Sequence, residues 1–399
     1  MTETESLAAA PASHLGRGLT FAMAATCGIA VANIYYNQPM LGIILRDFAD
    51  PTLTGLVPTS AQLGYAIGLF LLVPLGDMMD RRRLIVGQFL ALAVALLLAA
   101  MAPTIHVLLL ANLLVGIGST VAQQIIPFAA ALAMPQRRGR TIGALMSGLL
   151  GGILLSRTIA GFVATHEGWR AMFWLAVPLA LAAAAWMAVI LPRNHPHAGI
   201  RYGAALSSLI HLWRAEPALR GAALKQGAQF AGFSAFWAIL ALHLEEPRFG
   251  LGADIAGLFG IVAMVGVSAA PLAGRLADRR GPHLVISLAA VLALLSWILF
   301  GLWNAVPGLI VGVILLDFAV QSAMVSNQHI VFALRPEARN RLNTIYMTSI
   351  FLSGSLGSAG ATVVWHHGGW LAVSAYGAAL ALLSLGLEVV FRGNGRNNH

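Results

Sequence analysis

The stretch GRLADRRG, residues 274–281, is a short charged sequence between two long apolar runs. A looser copy, PLGDMMDRR, lies at residues 74–82, and its Asp77 stands 201 positions before Asp278. MPQRRGR and RPEARNR are related by the same offset, as are the two Gly-Trp pairs that begin at positions 168 and 369. Three landmarks with one offset predict two repeated halves, although short basic connections can also recur by coincidence.

Composition indicates a membrane protein. Of the 399 residues, 58% are hydrophobic and only 10% are charged, whereas soluble domains carry about 25% charged residues. Apolar runs of roughly 20 residues, the length that crosses a bilayer, recur along the chain. We number these twelve predicted segments 1 to 12 in the order 18–45, 55–75, 84–102, 106–133, 141–165, 170–191, 221–243, 254–274, 283–303, 306–334, 341–364 and 368–391.

The net charge of +9 could suggest a nucleic-acid partner, but the positions of the positive charges indicate membrane topology instead. Most of the 24 lysines and arginines lie in alternate short connections and at the two termini. Arg46, Arg170 and Arg248 lie on the opposite side, and Arg157 and Lys225 lie within apolar segments. This asymmetry follows the positive-inside rule and places both termini and the central connection in the cytoplasm.

The order of the segments predicts five parts. These are a cytoplasmic tail at 1–17, a six-helix bundle at 18–191, a cytoplasmic linker with an amphipathic helix at 192–220, a second six-helix bundle at 221–391 and a cytoplasmic tail at 392–399. The first tail lacks a cleavage site after an apolar core, so we do not expect a signal peptide. Leu206, Leu209 and Ile210 are expected on the apolar face of the linker helix.

Twelve segments in two halves, a long central connection and GRLADRRG after segment 8 together resemble the major facilitator superfamily over the whole chain. The loop signature of that family is G-x-L-a-D-r-x-G-r-k. The stretches NIYYNQPML (33–41), FSAFW (233–237), VSNQ (325–328) and RLNTIYMT (341–348) resemble its bacterial drug:proton antiporter branch. The resemblance implies an all-α integral membrane protein of two pseudo-symmetric six-helix bundles that works by alternating access.

The chain departs from that branch at two positions. Asn112 stands in segment 4 where the branch usually has an arginine, and Arg157 stands in segment 5 where its antiporter signature has a proline. One interpretation is that the intramembrane arginine has moved from segment 4 to segment 5.

Two charges inside the apolar segments are candidates for proton coupling, since each costs about 2.5–3.5 kcal/mol at the membrane centre on insertion scales. Asp317 lies about ten residues into segment 10, near the midplane at ~1.5 Å per residue. It is either a reversible proton carrier or a structural carboxylate. Arg157 either binds an anionic group of the substrate, or pairs with Asp317 in one conformation, or extends to the membrane surface.

Side chains that suit a partly apolar cavity for a small-molecule substrate occur in segments 1, 4, 7 and 10. They are Tyr35, Tyr36, Asn37, Gln38, Asn112, Gln123, Gln124, Phe236, Trp237, Asn327 and Gln328. The alternative for the aromatic residues is helix packing or an interfacial belt. The alternative for the carboxamides is hydrogen bonding between helices.

The resemblance also implies a cytoplasmic gate that closes while the outside is open. Its residues would be Asp77, Arg81, Arg82, Gly274, Asp278, Arg279 and Gly281. The two carboxylates could accept hydrogen bonds from a facing helix N-terminus, where the dipole favours a negative charge. Among the other charges, Lys225 is expected to reach the lipid headgroups. Glu388 and Arg392, four residues apart, are expected to form a helix-end ion pair.

Nothing in the sequence predicts an enzyme, a cofactor or a metal site. There is no glycine-rich phosphate loop followed by Lys-Ser or Lys-Thr, and the histidine pairs lack a second ligand cluster. We therefore predict a proton-coupled exporter of small amphipathic compounds, a monomer in the lipid of the bacterial inner membrane. The alternatives are an exporter or facilitator of sugars or organic anions and, more remotely, a non-transporting membrane sensor.

Overall fold

The computed structural model describes residues 16–193, 201–267, 269–335 and 338–396. Most of the two predicted tails and the start of the linker lie outside these ranges. Within them the backbone forms helices and no strands.

All twelve predicted segments are helical; segments 1, 2 and 4 are each built from two consecutive pieces, and segment 8 is described on either side of residue 268. In order, their bounds are Arg17–Ala32 with Leu41–Phe48, Val57–Leu72 with the 3₁₀ turn Val73–Asp77, Arg81–Ala100, Ile105–Ser119 with Ala122–Leu132, Arg138–Glu167, Trp169–Ile190, Pro217–Leu244, Ala253–Val267 with Ala269–Arg280, Pro282–Leu302, Val306–Leu334 and, for segments 11 and 12 together, Arg339–Arg396. The short helices Pro51–Gly55 and Pro135–Arg137 (3₁₀) lie in connections, and Tyr202–Ala215 lies in the linker.

In the described part of the chain, nine helical stretches are long and apolar enough to cross a membrane. The described helices of segments 1 and 8 are shorter, and the last helix contains two segments. It bends at Gly368 and Gly369, and the φ of +58° at Gly369 suits a residue without a Cβ. The twelve-helix membrane fold in two six-helix bundles is confirmed.

The helix of segment 1 is interrupted between Ala32 and Leu41, at residues that contact Arg157. Between Ala32 and Leu41 the chain follows tight turns, with hydrogen bonds from the Tyr35 amide to the Ala32 carbonyl and from the Gln38 amide to the Tyr35 carbonyl. Pro39, which has no amide hydrogen, lies in the same stretch. These turns place both Tyr35 and Gln38 at the middle of the bundle.

The two halves meet mainly at one end. We call the end that carries residues 201–216 the linker end and the opposite end the distal end. Segment 2 contacts segment 11 through hydrogen bonds of 3.0 Å from Thr59 to Ser358 and from Thr362 to the carbonyl of Gly55. Thr158 of segment 5 donates a hydrogen bond of 3.0 Å to the carbonyl of a segment 8 glycine, Gly257. These contacts lie towards the distal end, so that end is closed.

The linker helix packs on the opposite end of the bundle. Leu209 and Leu212 are buried in the core of the second half, and the hydroxyl of Tyr202 donates to the carbonyl of Leu71 at 2.8 Å. Ile210 is 47% exposed, so it does not pack on the bundle, and its place on an apolar face towards lipid stays a prediction.

Candidate functional site

Arg157 lies at the middle of the bundle with only 1% of its surface exposed. Its Nε donates to Oε1 of Gln38 at 2.7 Å, and one terminal nitrogen makes a long contact of 3.4 Å with the carbonyl of Ile153. The guanidinium carbon lies 4.6 Å from the ring centre of Tyr35 and 3.9 Å from that of Trp237. Because Trp237 belongs to the second half, this cation–π contact joins the two halves.

Small residues of segment 8 allow this close approach. A Cβ at Gly257 would stand 2.5 Å from the backbone oxygen of Arg157, and a Cβ at Gly260 would stand 3.2 Å from the Cβ of Arg157. Segments 5 and 8 therefore pack backbone to backbone beside the arginine, as small residues permit between membrane helices.

Asp317 is also buried, with 4% of its surface exposed, and its Oδ2 has no hydrogen-bond partner. It packs against Gly266 of segment 8. Gly266 is six residues beyond Gly260, which touches Arg157, and six residues span about 9 Å of helix. Accordingly, no ion pair joins Arg157 and Asp317 among the described residues.

Several other buried polar atoms around these two charges lack partners. They include the second terminal nitrogen of Arg157, Nε1 of Trp237, and both the oxygen and the nitrogen of the Gln229 carboxamide. Gln229 is 3% exposed and was not among the predicted residues. Its signal in the sequence was a carboxamide, one of two with Gln226, within the apolar segment 7. Buried groups without partners are rare in folded proteins and mark places where a ligand or water can bind.

Aromatic rings extend from the arginine along segment 7 towards the linker end. The ring centres of Trp237 and Phe233 are 6.2 Å apart, and those of Phe233 and Phe230 are 5.4 Å apart. We call these three residues the aromatic ladder. Near Arg157, the space between the lining side chains is too narrow for a water molecule. The site is therefore occluded on its distal side in this conformation.

Some of the predicted cavity residues make contacts within their own half. Asn37 donates to Oδ1 of Asn112 at 3.0 Å, and both side chains are buried. Tyr36 lies in the core of the first half. Phe236 is fully buried and stacks on Phe300 at 4.8 Å. Their neighbours are those of helix packing, which was the alternative for the aromatic residues.

The predicted carboxamides of segments 4 and 10 lie nearer the linker end. Gln123 donates to the hydroxyl of Tyr65 at 3.3 Å, and Gln124 donates to the carbonyl of Leu72 at 2.6 Å. Asn327 is buried and lies 3.5 Å from Oε1 of Gln226, at the limit of a hydrogen bond. Gln328 is half-buried.

The first half of the predicted gate is paired locally in this conformation. Asp77 forms an ion pair of 2.9 Å with Arg81, and its side chain is 58% exposed. Arg82 donates to the carbonyl of Ala188 in the same half. The helix N-terminus of segment 3 is capped by Asp80, which accepts hydrogen bonds from two backbone amides, rather than by Asp77.

The second half of the predicted gate is also open to solvent. The side chain of Asp278 is 70% exposed and lies 3.9 Å from His329 of the same half. Arg279 is exposed, and a Cβ at Gly274 would meet nothing within 4 Å. Gly281 has a φ of +86° and ends segment 8. Both gate carboxylates thus contact side chains of their own half.

Lys225 and Glu388 form a buried charge cluster that was not predicted from the sequence. Nζ of Lys225 lies 2.7 Å from Oε2 of Glu388, and both side chains are at most 3% exposed. His283, which is 43% exposed, lies 2.8 Å from the other carboxylate oxygen. The expectation that Lys225 reaches the headgroups is wrong, because a partner on segment 12 satisfies its charge inside the protein. The side chain of Arg392 lies outside the described residues.

At the distal end, a cavity of about 290 Å³ lies between the halves. It is lined in part by Thr54 and Glu245, and Arg46 of segment 1 lies 3.7 Å from Glu245 of the other half. Burial raises the pKa of Glu245, and the nearby Arg46 opposes this effect. In the described ranges, no group of three or more His, Cys, Asp or Glu could hold a metal ion.

Comparison with known proteins agrees with this geometry. The family model of the Major Facilitator Superfamily matches residues 21–358 and 223–396. The uncharacterized transporter YgaY of Escherichia coli O157:H7 is 40% identical over 381 residues, which is 94% of this chain and 96% of that protein. The inner membrane transport protein YnfM of Escherichia coli K12 is 24% identical over 376 residues, covering 90% and 87%.

The fold is also that of a solved transporter. A bacterial homolog of the human lysosomal transporter Spinster, in an inward-facing and occupied conformation, superimposes with a TM-score of 0.76 at 13% identity, over 96% of this chain and 98% of that chain. Fold, family match and relatives together describe a membrane transporter rather than an enzyme. The chain belongs to the major facilitator superfamily.

Proposed function

We propose that this protein exports small amphipathic compounds from the bacterial cytoplasm in exchange for protons, by alternating access. The observation that carries the proposal is the pair Asp317 and Arg157. Each is buried in the middle of the bundle, each has a polar atom without a partner, and they belong to opposite halves. Ionisable groups inside a membrane protein are functional by default, because their burial is costly.

Asp317 is the proton-binding group in this proposal. A lone carboxylate in an apolar surrounding is costly, whereas the neutral acid is tolerated far better. In the present conformation Asp317 packs against Gly266, and its Oδ2 has no hydrogen-bond partner. If the halves rock so that Arg157 approaches, the charged carboxylate is stabilised and the proton is released. Proton binding and the closure of one end are thereby linked.

The orientation follows from the charge asymmetry of the sequence. With the linker end in the cytoplasm, the closed distal end faces outward. The exposed carboxylates Asp77 and Asp278 then lie on the cytoplasmic side, where they would form a gate after the halves rock. The site needs residues from one chain alone, which supports a functional monomer in the inner membrane.

A second candidate is transport of organic anions or sugars. It is favoured by one observation, the terminal nitrogen of Arg157 that has no acceptor. A guanidinium binds a carboxylate through two parallel hydrogen bonds, and a neutral amphipathic cargo would leave that nitrogen unsatisfied.

Proton flux in everted vesicles would test the proposal. The vesicles carry the purified protein and an acidic lumen reported by a pH-sensitive dye, and lipophilic cations, sugars and organic anions are added in turn. An active compound makes protons leave the lumen, and Asp317→Asn abolishes the signal. Asp254→Asn, which removes a carboxylate near the distal start of segment 8, is the matched control and keeps it. Silence with every compound and folded protein would overturn proton exchange.

A further inference from the structure

The guanidinium of Arg157 is held in place without a direct ion pair. Two aromatic rings cover its faces, and Gln38 occupies only one of its hydrogen-bonding positions. No carboxylate lies within ion-pair distance of it among the described residues, although a buried charge that lacks its partner is strongly destabilising. A charge fixed in this way without a direct partner prepares a site for an anion.

Two atoms without partners at this guanidinium are also of one chemical kind, because both are hydrogen-bond donors. The second terminal nitrogen of Arg157 and Nε1 of Trp237 are both hydrogen-bond donors, and both are buried without an acceptor. The two side chains come from opposite halves and are in contact, with 3.9 Å between the guanidinium carbon and the ring centre. A ligand that satisfies two donors must bring acceptors, and a carboxylate brings two oxygens.

The aromatic ladder indicates what is attached to that carboxylate. It begins at Trp237 and continues through Phe233 to Phe230 towards the linker end. Phe351 of segment 11 adds an edge-on ring 5.2 Å from Phe230. An apolar, flat body would lie along these rings, since aromatic side chains add favourable stacking to burial.

We propose that Arg157 and Trp237 bind the carboxylate of a small aromatic acid whose apolar body lies along the aromatic ladder. This rests on the proposed transport function and specifies its cargo as an amphipathic weak acid. Because the space beside Arg157 and Trp237 is closed on its distal side in this conformation, the acid binds as the halves separate around these two residues. The ligand therefore bridges the halves and couples its own binding to their movement.

Calorimetry on the purified full-length protein in detergent would test the site directly. The probes are phenylacetate and its neutral amide, phenylacetamide, which keeps the ring and loses the charge. We expect phenylacetate to bind at least tenfold more tightly, as a charge-assisted bidentate contact requires. Arg157→Gln should abolish the difference. Trp237→Phe, which keeps the ring but loses the donor, should weaken phenylacetate about tenfold. Arg46→Gln, an exposed arginine, should change nothing.

The outcomes separate this inference from the proposed function. Asp317→Asn should lose proton flux and still bind phenylacetate, because it leaves the donors intact. Proton flux with lipophilic cations, together with equal binding of phenylacetate and phenylacetamide, would overturn the inference and leave proton exchange standing. Phenylacetate binding without proton flux would support the site and overturn proton exchange. If Arg157→Gln does not fold, Trp237→Phe and the comparison of acid with amide decide the result.

Discussion

Gly257 of segment 8 lies directly on the backbone carbonyl of Arg157 in segment 5, where a Cβ would stand only 2.5 Å from the oxygen. The two residues belong to opposite halves, and Thr158 adds a hydrogen bond to the carbonyl of Gly257. The closed distal end therefore depends on a missing side chain beside the buried arginine. This arrangement makes the closure of that end sensitive to very small substitutions.

Gly257→Ala should open the distal end. The added methyl group has no space against backbone, and overpacking costs about 1–3 kcal/mol, which corresponds to roughly tenfold in the open population. The measurement is the rate at which a membrane-impermeant maleimide labels Thr54→Cys, a buried position in the distal cavity. The native Cys27 is buried and adds little background. Gly151→Ala is the control, because a Cβ there meets nothing within 4 Å.

If Gly257→Ala and Gly151→Ala label at the same rate, the contact between segments 5 and 8 does not determine distal closure.

Removing one member of the Lys225–Glu388 pair should be more damaging than removing both. Each single variant, Lys225→Met or Glu388→Gln, leaves a buried charge without its partner and should cost about 3–5 kcal/mol. The double variant should recover a large part of this loss. Thermal unfolding in detergent measures the cycle, with His283→Gln as a milder variant at a half-exposed position. Additive losses would mean that the pair is not coupled.

Acid should favour the closed distal end through Glu245. Burial raises the pKa of this carboxyl while the end is closed, and Arg46 only partly opposes it. The closed state thus binds a proton more tightly than the open one, and closure weakens as pH rises through the raised pKa. Because maleimide reacts with the thiolate, whose fraction itself rises with pH, the rate is taken relative to that of a fully exposed cysteine. This relative labelling of Thr54→Cys should increase with pH above about 4.5, the ordinary value for Glu.

The variant Glu245→Gln should flatten this pH dependence. An unchanged slope in that variant would assign the effect to other groups at the distal end, such as Glu246 and His243, which lie 3.3 Å apart.

Asp77→Asn and Asp278→Asn should shift the protein further towards the present conformation. If these carboxylates form a cytoplasmic gate in the opposite state, their loss destabilises only that state, and labelling of Thr54→Cys should fall severalfold. Stability should hardly change, because exposed pairs such as Asp77–Arg81 contribute about 0.3–0.5 kcal/mol. Asp80→Ala is the control. It removes a helix cap worth about 1 kcal/mol, so it should lower the melting temperature without changing the labelling.

An increase in labelling for both Asp77→Asn and Asp278→Asn would contradict a gate on the linker side.

Much of the architecture could be predicted from the sequence. Asp77 and Asp278 revealed the repeat, and runs of about 20 apolar residues predicted the twelve helices, including those interrupted in the structure. Arg157 and Asp317 could be selected without coordinates, because a charge within an apolar run is conspicuous.

The partners of the charges could not be predicted in this way. Lys225 and Glu388 are 163 positions apart and meet only because segments 7 and 12 pack side by side. The placement of Arg157 against Trp237, and its separation from Asp317, depend on how the two halves are rotated. Local hydropathy determines where a helix lies along the chain, because it acts within one segment. Contacts between segments depend on close packing across the whole bundle, and only the tertiary structure decides them.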